Sequence, residues 1–334
     1  MKIIGFLVFV VILISVISCT KYSSSQSSEL VIYSGRSESL VGPIIDQFEV
    51  ATGINVNVKY GSNSEIAALL MEEGDKSASD IFLSKDVGGL ETIEDMLVTL
   101  SPEIISKVPK WASSTESKWV GLSGRARVLV YNVDDVSEDE LPNSLEELTN
   151  PVWKGRIGWA PGNASFQTMI TAMRTMWGEE KTAEWLKEMK ANDPKEYPKN
   201  TPQVAAAANG EISIGLVNHY YLFRFLSEEG TSFPARNHYL NSGDPGSLVM
   251  VSGAGILKTS KNIGEAETFI RFMLSNLSQQ YFAGETFEYP LVAGVKTHDV
   301  LKPLDAIGTS GIDNTYLSDL KGTQRLLREL NILQ

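Results

Sequence analysis

Glu211-Ile-Ser-Ile-Gly-Leu-Val-Asn-His-Tyr-Tyr-Leu-Phe-Arg224 reads as a strand that runs directly into a helix. Ile212, Ile214 and Leu216 alternate with small or polar residues, which predicts a short buried strand over 211–217. Asn218 is a residue type that caps helices, and 221–229 has helical spacing. The adjacent phenols Tyr220 and Tyr221 therefore fall where a strand ends and a helix opens. In open α/β sheets that edge is where ligands bind.

A phenol loses its proton near pH 10, so at neutral pH only a strong positive charge displaces it. A trivalent metal does so, as a bound divalent ion deprotonates water or a thiol, and hard cations prefer oxygen donors. Packed interior tyrosines with satisfied hydroxyls are the plainer reading of a Tyr-Tyr pair, so the surrounding chain has to decide.

Outward from this stretch the chain alternates strand and helix patterns. Leu30–Tyr33 is an apolar strand, and a helix with Leu40, Val41, Ile44, Ile45 and Phe48 on one side ends at Gly53. Ile54, Val56, Val58 and Tyr60 give a second strand, Ser64 is placed to cap a helix over 65–73, and Asp80–Leu83 is a third strand. This β-α-β-α-β order predicts a mostly parallel sheet flanked by helices. Arg125–Tyr131 reads as a strand crossing into a second lobe, and Leu248–Leu257 as one that recrosses. Ser144 with Glu147 forms a capping-box pattern. Arg156–Trp159 is a strand, and Met169, Met173 and Met176 follow helical spacing as core filler. Helices are expected over 203–209, 265–277 and from Thr315 onward. The fold class is α/β, two-lobed and hinged by crossover strands, with loops from both lobes facing one cleft.

At 334 residues the chain has room for about two domains. Net charge −12 argues against nucleic acid and anionic membrane surfaces as partners. Met1-Lys2 precedes an apolar run over Ile3–Ile17 that is too short to span a membrane, then Ser18-Cys19. Cys19 is the only cysteine, which leaves the mature chain without disulfides, thiolate metal sites or a cysteine nucleophile. Val16-Ile17-Ser18-Cys19 resembles a bacterial lipoprotein box, with Cys19 as the lipidated residue. Lys21–Ser28 follows as a polar tether. The expected organisation is a signal peptide at 1–18, anchor and tether at 19–29, a first lobe of 30–126 with 250–285, and a second of 127–249 with 286–334. The expected location is extracytoplasmic, with membrane contact through the lipid.

Several segments together resemble the ferric-ion-binding solute-binding proteins of ABC iron importers. They are Leu30–Gly35, Thr52-Gly53-Ile54, Asp80-Ile81-Phe82, Leu122-Ser-Gly-Arg-Ala-Arg-Val128, Trp153-Lys-Gly-Arg-Ile157, Asn218-His-Tyr-Tyr221 and Gly243-Asp-Pro-Gly246. The resemblance implies closure of two lobes on Fe(III) with a synergistic anion such as carbonate, and delivery by a monomer to a membrane permease. It implies Tyr220 and Tyr221 as phenolate ligands and Asn218 as an anion contact. Arg125, and less directly Arg127, would pair with the anion through a planar fork. Asn163 and Ser165 would present a helix N-terminus to it. Many family members carry a His where this chain has Ser37, and some an acid where it has Lys85. Arg36, Ser37 and Asp86 are then accessory candidates on the first lobe. His219 is expected to be structural.

Two other readings stay open at this stage. A binder of a small oxyanion, sulfate-like or phosphonate-like, would need only Arg36, Arg125 and helix N-termini. A polyamine binder would need carboxylates and aromatic faces. An enzyme is not expected, because the chain has no G-x-S-x-G elbow, H-E-x-x-H, P-loop or helix-opening G-x-G-x-x-G.

Overall fold

The computed structural model describes residues 29–307 and 310–333; Cys19 and the leader and tether expected before residue 29 lie outside them. Strands β1 (Glu29–Ser34), β2 (Asn55–Tyr60) and β3 (Ile81–Ser84) alternate with helices α1 (Glu38–Thr52) and α2 (Asn63–Glu73). β1 pairs in parallel with both β2 and β3, the arrangement a β-α-β-α-β order requires. Helix α1 buries Val41, Ile44, Ile45 and Phe48 and stops at Gly53, whose φ of +72° is open to glycine at little cost. The cap of α2 is Ser62 rather than the expected Ser64. Ser62 and Glu65 have the S-x-x-E spacing, so the Glu65 N–H donates to Ser62 Oγ (3.3 Å) while the Ser62 N–H donates to Glu65 Oε2 (2.9 Å).

Short helices α3 (Val87–Thr92) and α4 (Pro102–Ile105) lead to β4 (Val120–Asn132). Next come β5 (Ile157–Trp159), α5 (Ala164–Trp177), α6 (Glu179–Ala191), β6 (Lys195–Glu196), α7 (Asn200–Ala208), β7 (Ile214–Asn218), α8 (Tyr220–Glu229) and β8 (Ala235–His238). The chain returns along β9 (Val249–Ile256) to α9 (Ile263–Met273), α10 (Asn276–Gly284), β10 (Tyr289–Pro290) and α11 (Leu320–Glu329). The strands run in the order β2-β1-β3-β9-β4-β7-β5-β6, with β8 and β10 also pairing to β4. Outer pairs such as β5 with β7 are parallel, whereas β9 with β3 and β4, and β4 with β7, are antiparallel.

Every residue of β4 is buried, and the strand serves two lobes. Val120–Ala126 pairs with β9, and Arg127–Tyr131 pairs with β7, so the partner changes between Ala126 and Arg127. The apolar cores divide accordingly. One gathers Ile32, Phe48, Phe82, Trp119, Ile256 and Phe269; the other gathers Trp153, Ile157, Phe166, Met169, Met173 and Trp185. Met169 and Met173 are thus core filler, and Met176 stands outside the fully buried set. Leu291 joins the first core and Tyr289 a smaller cluster with Ala126, Phe223 and Val249, whereas Leu327 of α11 joins the second core.

Several boundaries differ from the sequence reading: β7 begins at Ile214 rather than 211, β4 at Val120 rather than Arg125, and α7 at Asn200 rather than 203. The helix expected over 265–277 is broken, because Ser275 Oγ accepts the Ser278 N–H and starts α10 anew. The Ser144–Glu147 pattern does form its N–H to Oγ contact (3.4 Å), but it opens only a single 3-10 turn over Glu146–Thr149. The tail makes another such turn at Asn314–Leu317 before α11 begins.

The close approach of β4 and β9 rests on glycine. A Cβ on Gly253 would stand 2.7 Å from the carbonyl oxygen of Val120, a backbone atom that cannot move aside. Gly253→Ala is therefore expected to destabilise the protein by about 1–3 kcal/mol. Gly264→Ala, where nothing lies within 4 Å, is the control. Urea unfolding of both variants checks this, and coincident midpoints would contradict the packing argument.

Candidate metal centre

The tyrosine pair is placed by the end of β7. Asn218 is the last residue of that strand, opposite Arg127 of β4, and α8 opens at Tyr220. Asn218 is not the helix cap expected from the sequence. His219, already helical at φ −55° and ψ −40°, holds the cap position without a side-chain capping bond. The Asn218 side chain is turned to β4 instead, where the buried Arg127 Nη1 donates to Asn218 Oδ1 (3.0 Å). The Tyr220 and Tyr221 rings stack with centroids 4.3 Å apart. One turn along, the exposed Arg224 lies 5.7 and 5.6 Å from their centroids, within cation–π range.

A cavity of about 250 Å³ between the lobes brings these phenols against Arg36, Ser37, Lys85 and Arg125. Arg36 and Ser37 follow β1, Lys85 follows β3, and Arg125 comes from β4 just before its change of partner. The Arg125 Nη2 donates to the Lys85 carbonyl, and the Arg125 Nε is buried without a partner. Glu288 is the one carboxylate lining the cavity, and it is already engaged. It takes both Arg36 terminal nitrogens (3.0 and 2.9 Å) and the Ser123 hydroxyl, while Arg36 Nη1 also donates to Ser252 Oγ (2.6 Å). Burial and the neighbouring Arg125 hold the Lys85 ammonium below its ordinary pKa. Burial, then Tyr220 beside it, raises the Tyr221 phenol above its ordinary value, with Arg125 and Arg224 opposing. Among the described residues no three of His, Cys, Asp and Glu gather to hold an ion, so a metal in this cleft would rest on the phenols.

Arg36, Ser37, Arg125, Tyr220 and Tyr221 thus share one cavity, and the other candidates do not line it. Asp86 caps α3, its Oδ1 accepting from Gly89 N and Asn63 Nδ2. Asn163 caps α5 through the Ser165 N–H (3.0 Å). Asn200, which sequence reasoning missed, links these residues to Arg127. Its Nδ2 donates to Asn163 Oδ1 (3.3 Å), and its Oδ1 accepts from Arg127 Nη1 (3.2 Å). Arg127 keeps Nε and Nη2 buried without partners, and burial lowers its pKa to about 9 against the pull of Tyr221 and Tyr220. Arg224 was also missed, although its spacing of three and four from the tyrosines was readable. Glu288 carried no local signal, being 252 residues from Arg36.

His219 is structural, as the sequence reading expected. Its ring is fully buried and stacks on Tyr289 at 4.7 Å. Nδ1 accepts the Ala126 N–H (3.1 Å), which places the ring proton on Nε2, facing the Phe287 carbonyl (2.7 Å). Burial depresses its pKa to about 4. Below its ordinary value of 6.5 the unfolded chain takes up a proton that the folded chain refuses until about pH 4. The contribution is therefore present in full above pH 6.5 and is lost as pH falls toward 4, an effect of roughly 3 kcal/mol. His219→Gln should flatten that part of the profile in urea unfolding at pH 6.5 and 4.5; unchanged steepness would show that another group carries it.

The chain belongs to the bacterial extracellular solute-binding proteins, whose family model matches residues 76–306. Within that class it is 33% identical over 307 residues to the major ferric iron-binding protein of Neisseria meningitidis serogroup B, covering 90% of this chain and 92% of that one. It is 30% identical over 315 residues to the Fe(3+)-binding periplasmic protein of Serratia marcescens, covering 93% of each. Iron-bound HitA from Pseudomonas aeruginosa superposes with a TM-score of 0.85 at 31% identity, over 91% of this chain and 99% of that one. A Trichodesmium protein (IdiA, FutA) in complex with iron and citrate does so with a TM-score of 0.81 at 28% identity, over the same shares. The resemblance to ferric-ion-binding proteins and the two-lobed α/β fold are borne out.

Proposed function

We propose that this chain captures Fe(III) with a synergistic anion between its lobes and delivers it to an ABC permease. The observation that carries this reading is the stacked Tyr220–Tyr221 pair, facing a cleft whose lone carboxylate is committed to Arg36. The iron-binding relatives support it. Metal binding displaces both phenolic protons, and the anion then pairs with Arg125 and, behind the phenols, Arg127. Asn218 contributes by orienting Arg127, and Asn163 and Ser165 through Asn200. The lobes are taken as 30–126 with 250–285 and 127–249 with 286–334, with Leu291 of the last segment reaching back into the first core. The protein works as a monomer without catalysis, outside the cytoplasm, anchored through a lipid on Cys19. Among the described residues no helix is long and apolar enough to cross a membrane.

A polyamine fits this cleft poorly, because Lys85, Arg125 and Arg224 line it. Titration with Fe(III) nitrilotriacetate should produce a visible tyrosinate-to-iron charge-transfer band. That band should vanish in the Tyr220→Phe/Tyr221→Phe double variant and weaken as pH falls, since binding releases protons. A folded protein that gives no band, yet binds sulfate or a phosphonate, would replace iron with an oxyanion as the cargo.

A further inference from the structure

On its first-lobe side the cleft cavity is lined by Gly35, Arg36, Ser37, Gly61 and Lys85, which stand on the loops after β1, β2 and β3. Backbone bonds join these loops at their roots, from Gly35 N to Leu83 O (2.8 Å) and from Gly61 N to Ser34 O (3.0 Å). Beyond the roots, one side chain sits where the three loops meet: Asn63, the first residue of α2. Its Oδ1 accepts the Lys85 N–H (2.9 Å) and the Ser84 hydroxyl (2.9 Å), and its Nδ2 donates to Asp86 Oδ1 (2.9 Å). The Lys85 N–H can only donate and the Asp86 carboxylate can only accept, so the amide has a single orientation.

Two glycines leave room for this amide. A Cβ on Gly35 would stand 2.2 Å from Asn63 Oδ1, and one on Gly89 would stand 2.3 Å from Asn63 Nδ2. Neither glycine has a positive φ, so the space rather than the backbone conformation calls for glycine there. The plainer reading of Asn63 is a polar residue that opens a helix. Ser62 and Glu65 already cap α2, however, and the three bonds of the Asn63 amide all go to one loop 21 to 23 positions away. Asp86 is held back from the cavity by Asn63 and by Gly89 N, which leaves Lys85 as the residue of that loop lining it.

We propose that Asn63 is a positioning residue for cargo capture. It does not line the cavity itself. Its amide fixes the loops after β1, β2 and β3 as one preformed wall, so the first lobe closes on its cargo without having to order them at that moment. The nature of the cargo rests on the Fe(III) reading above.

The test loads the purified protein with Fe(III) nitrilotriacetate and reads the concentration of a competing chelator that halves the charge-transfer band. Asn63→Ala should lower this midpoint about tenfold, the loss usual when a residue behind a metal site is removed. The band maximum should stay in place, because the phenols are untouched. Gly89→Ala, whose methyl group displaces the same amide, should lower the midpoint likewise. The double variant Asn63→Ala/Gly89→Ala should fall no further than Asn63→Ala alone. Amide hydrogen exchange of the metal-free protein gives the second readout. The Lys85 N–H, bonded to Asn63 Oδ1, should lose protection in both single variants, while the Gly35 N–H, bonded to Leu83 O, keeps it. An unchanged midpoint, additive losses, or a Lys85 N–H still protected in Asn63→Ala would overturn the proposal. If the unmodified protein gives no band, the iron reading fails, and calorimetric titration with sulfate replaces the chelator midpoint in the same variants. An affinity loss of about tenfold with the Lys85 N–H opened to exchange then keeps Asn63 as the positioning residue; equal affinities or no binding remove it.

Discussion

The position at which β4 exchanges β9 for β7 constrains everything else in this molecule. A single 13-residue strand, buried throughout, belongs to one lobe up to Ala126 and to the other from Arg127. The two arginines flanking Ala126 are buried at the point where this ladder joins the lobes. β7 is held in register against the same segment, so the end of β7, and with it Tyr220 and Tyr221, is delivered to that junction. Cleft chemistry and interlobe connection are thereby fixed by one set of backbone hydrogen bonds.

The alternation of apolar residues makes this architecture legible in the sequence. Ile32, Val56 and Phe82 announce strands, and Val41, Ile44, Ile45 and Phe48 a helix face, because burial acts through periods of two and 3.6 that are visible locally. The tyrosine pair was legible for the same reason. What could not be read was competition between side chains distant in sequence. Asn218 has the composition of a cap, yet Arg127, 91 positions away, takes its oxygen. Asp86 has the chemistry of a ligand, yet Gly89 N and Asn63 Nδ2 employ it as one cap among many. Glu288 and Asn200 acquire their roles only once the chain has brought Arg36 and Arg127 beside them.

The first lobe is where this chain parts from the pattern it resembles. Ser37 and Lys85 stand where the resemblance implies residue types that bind metal directly, and Arg125 lines the same cavity. Phenols and cations lining one cavity offer a cargo two chemistries. In the proposed function the phenols would answer the metal, and the cations around them whatever negative charge travels with it.

The buried Arg36–Glu288 pair has a mechanical meaning. Through Ser123 it touches β4, through Ser252 it touches β9, and its backbone lies in the loop after β1. Removing one partner of such a pair strands the other in the interior, so the loop is bolted to both crossing strands. Bending of those strands must then carry the Arg36 loop along as a single stiff part. Lys85 sits on a separate loop whose backbone is tied to Arg125 of β4 and to Asn63, while its ammonium forms no ion pair among the described residues. The side chain at position 85 can therefore change without disturbing the Arg36–Glu288 bolt, which separates the chemistry of this loop from the stiffness of the one beside it.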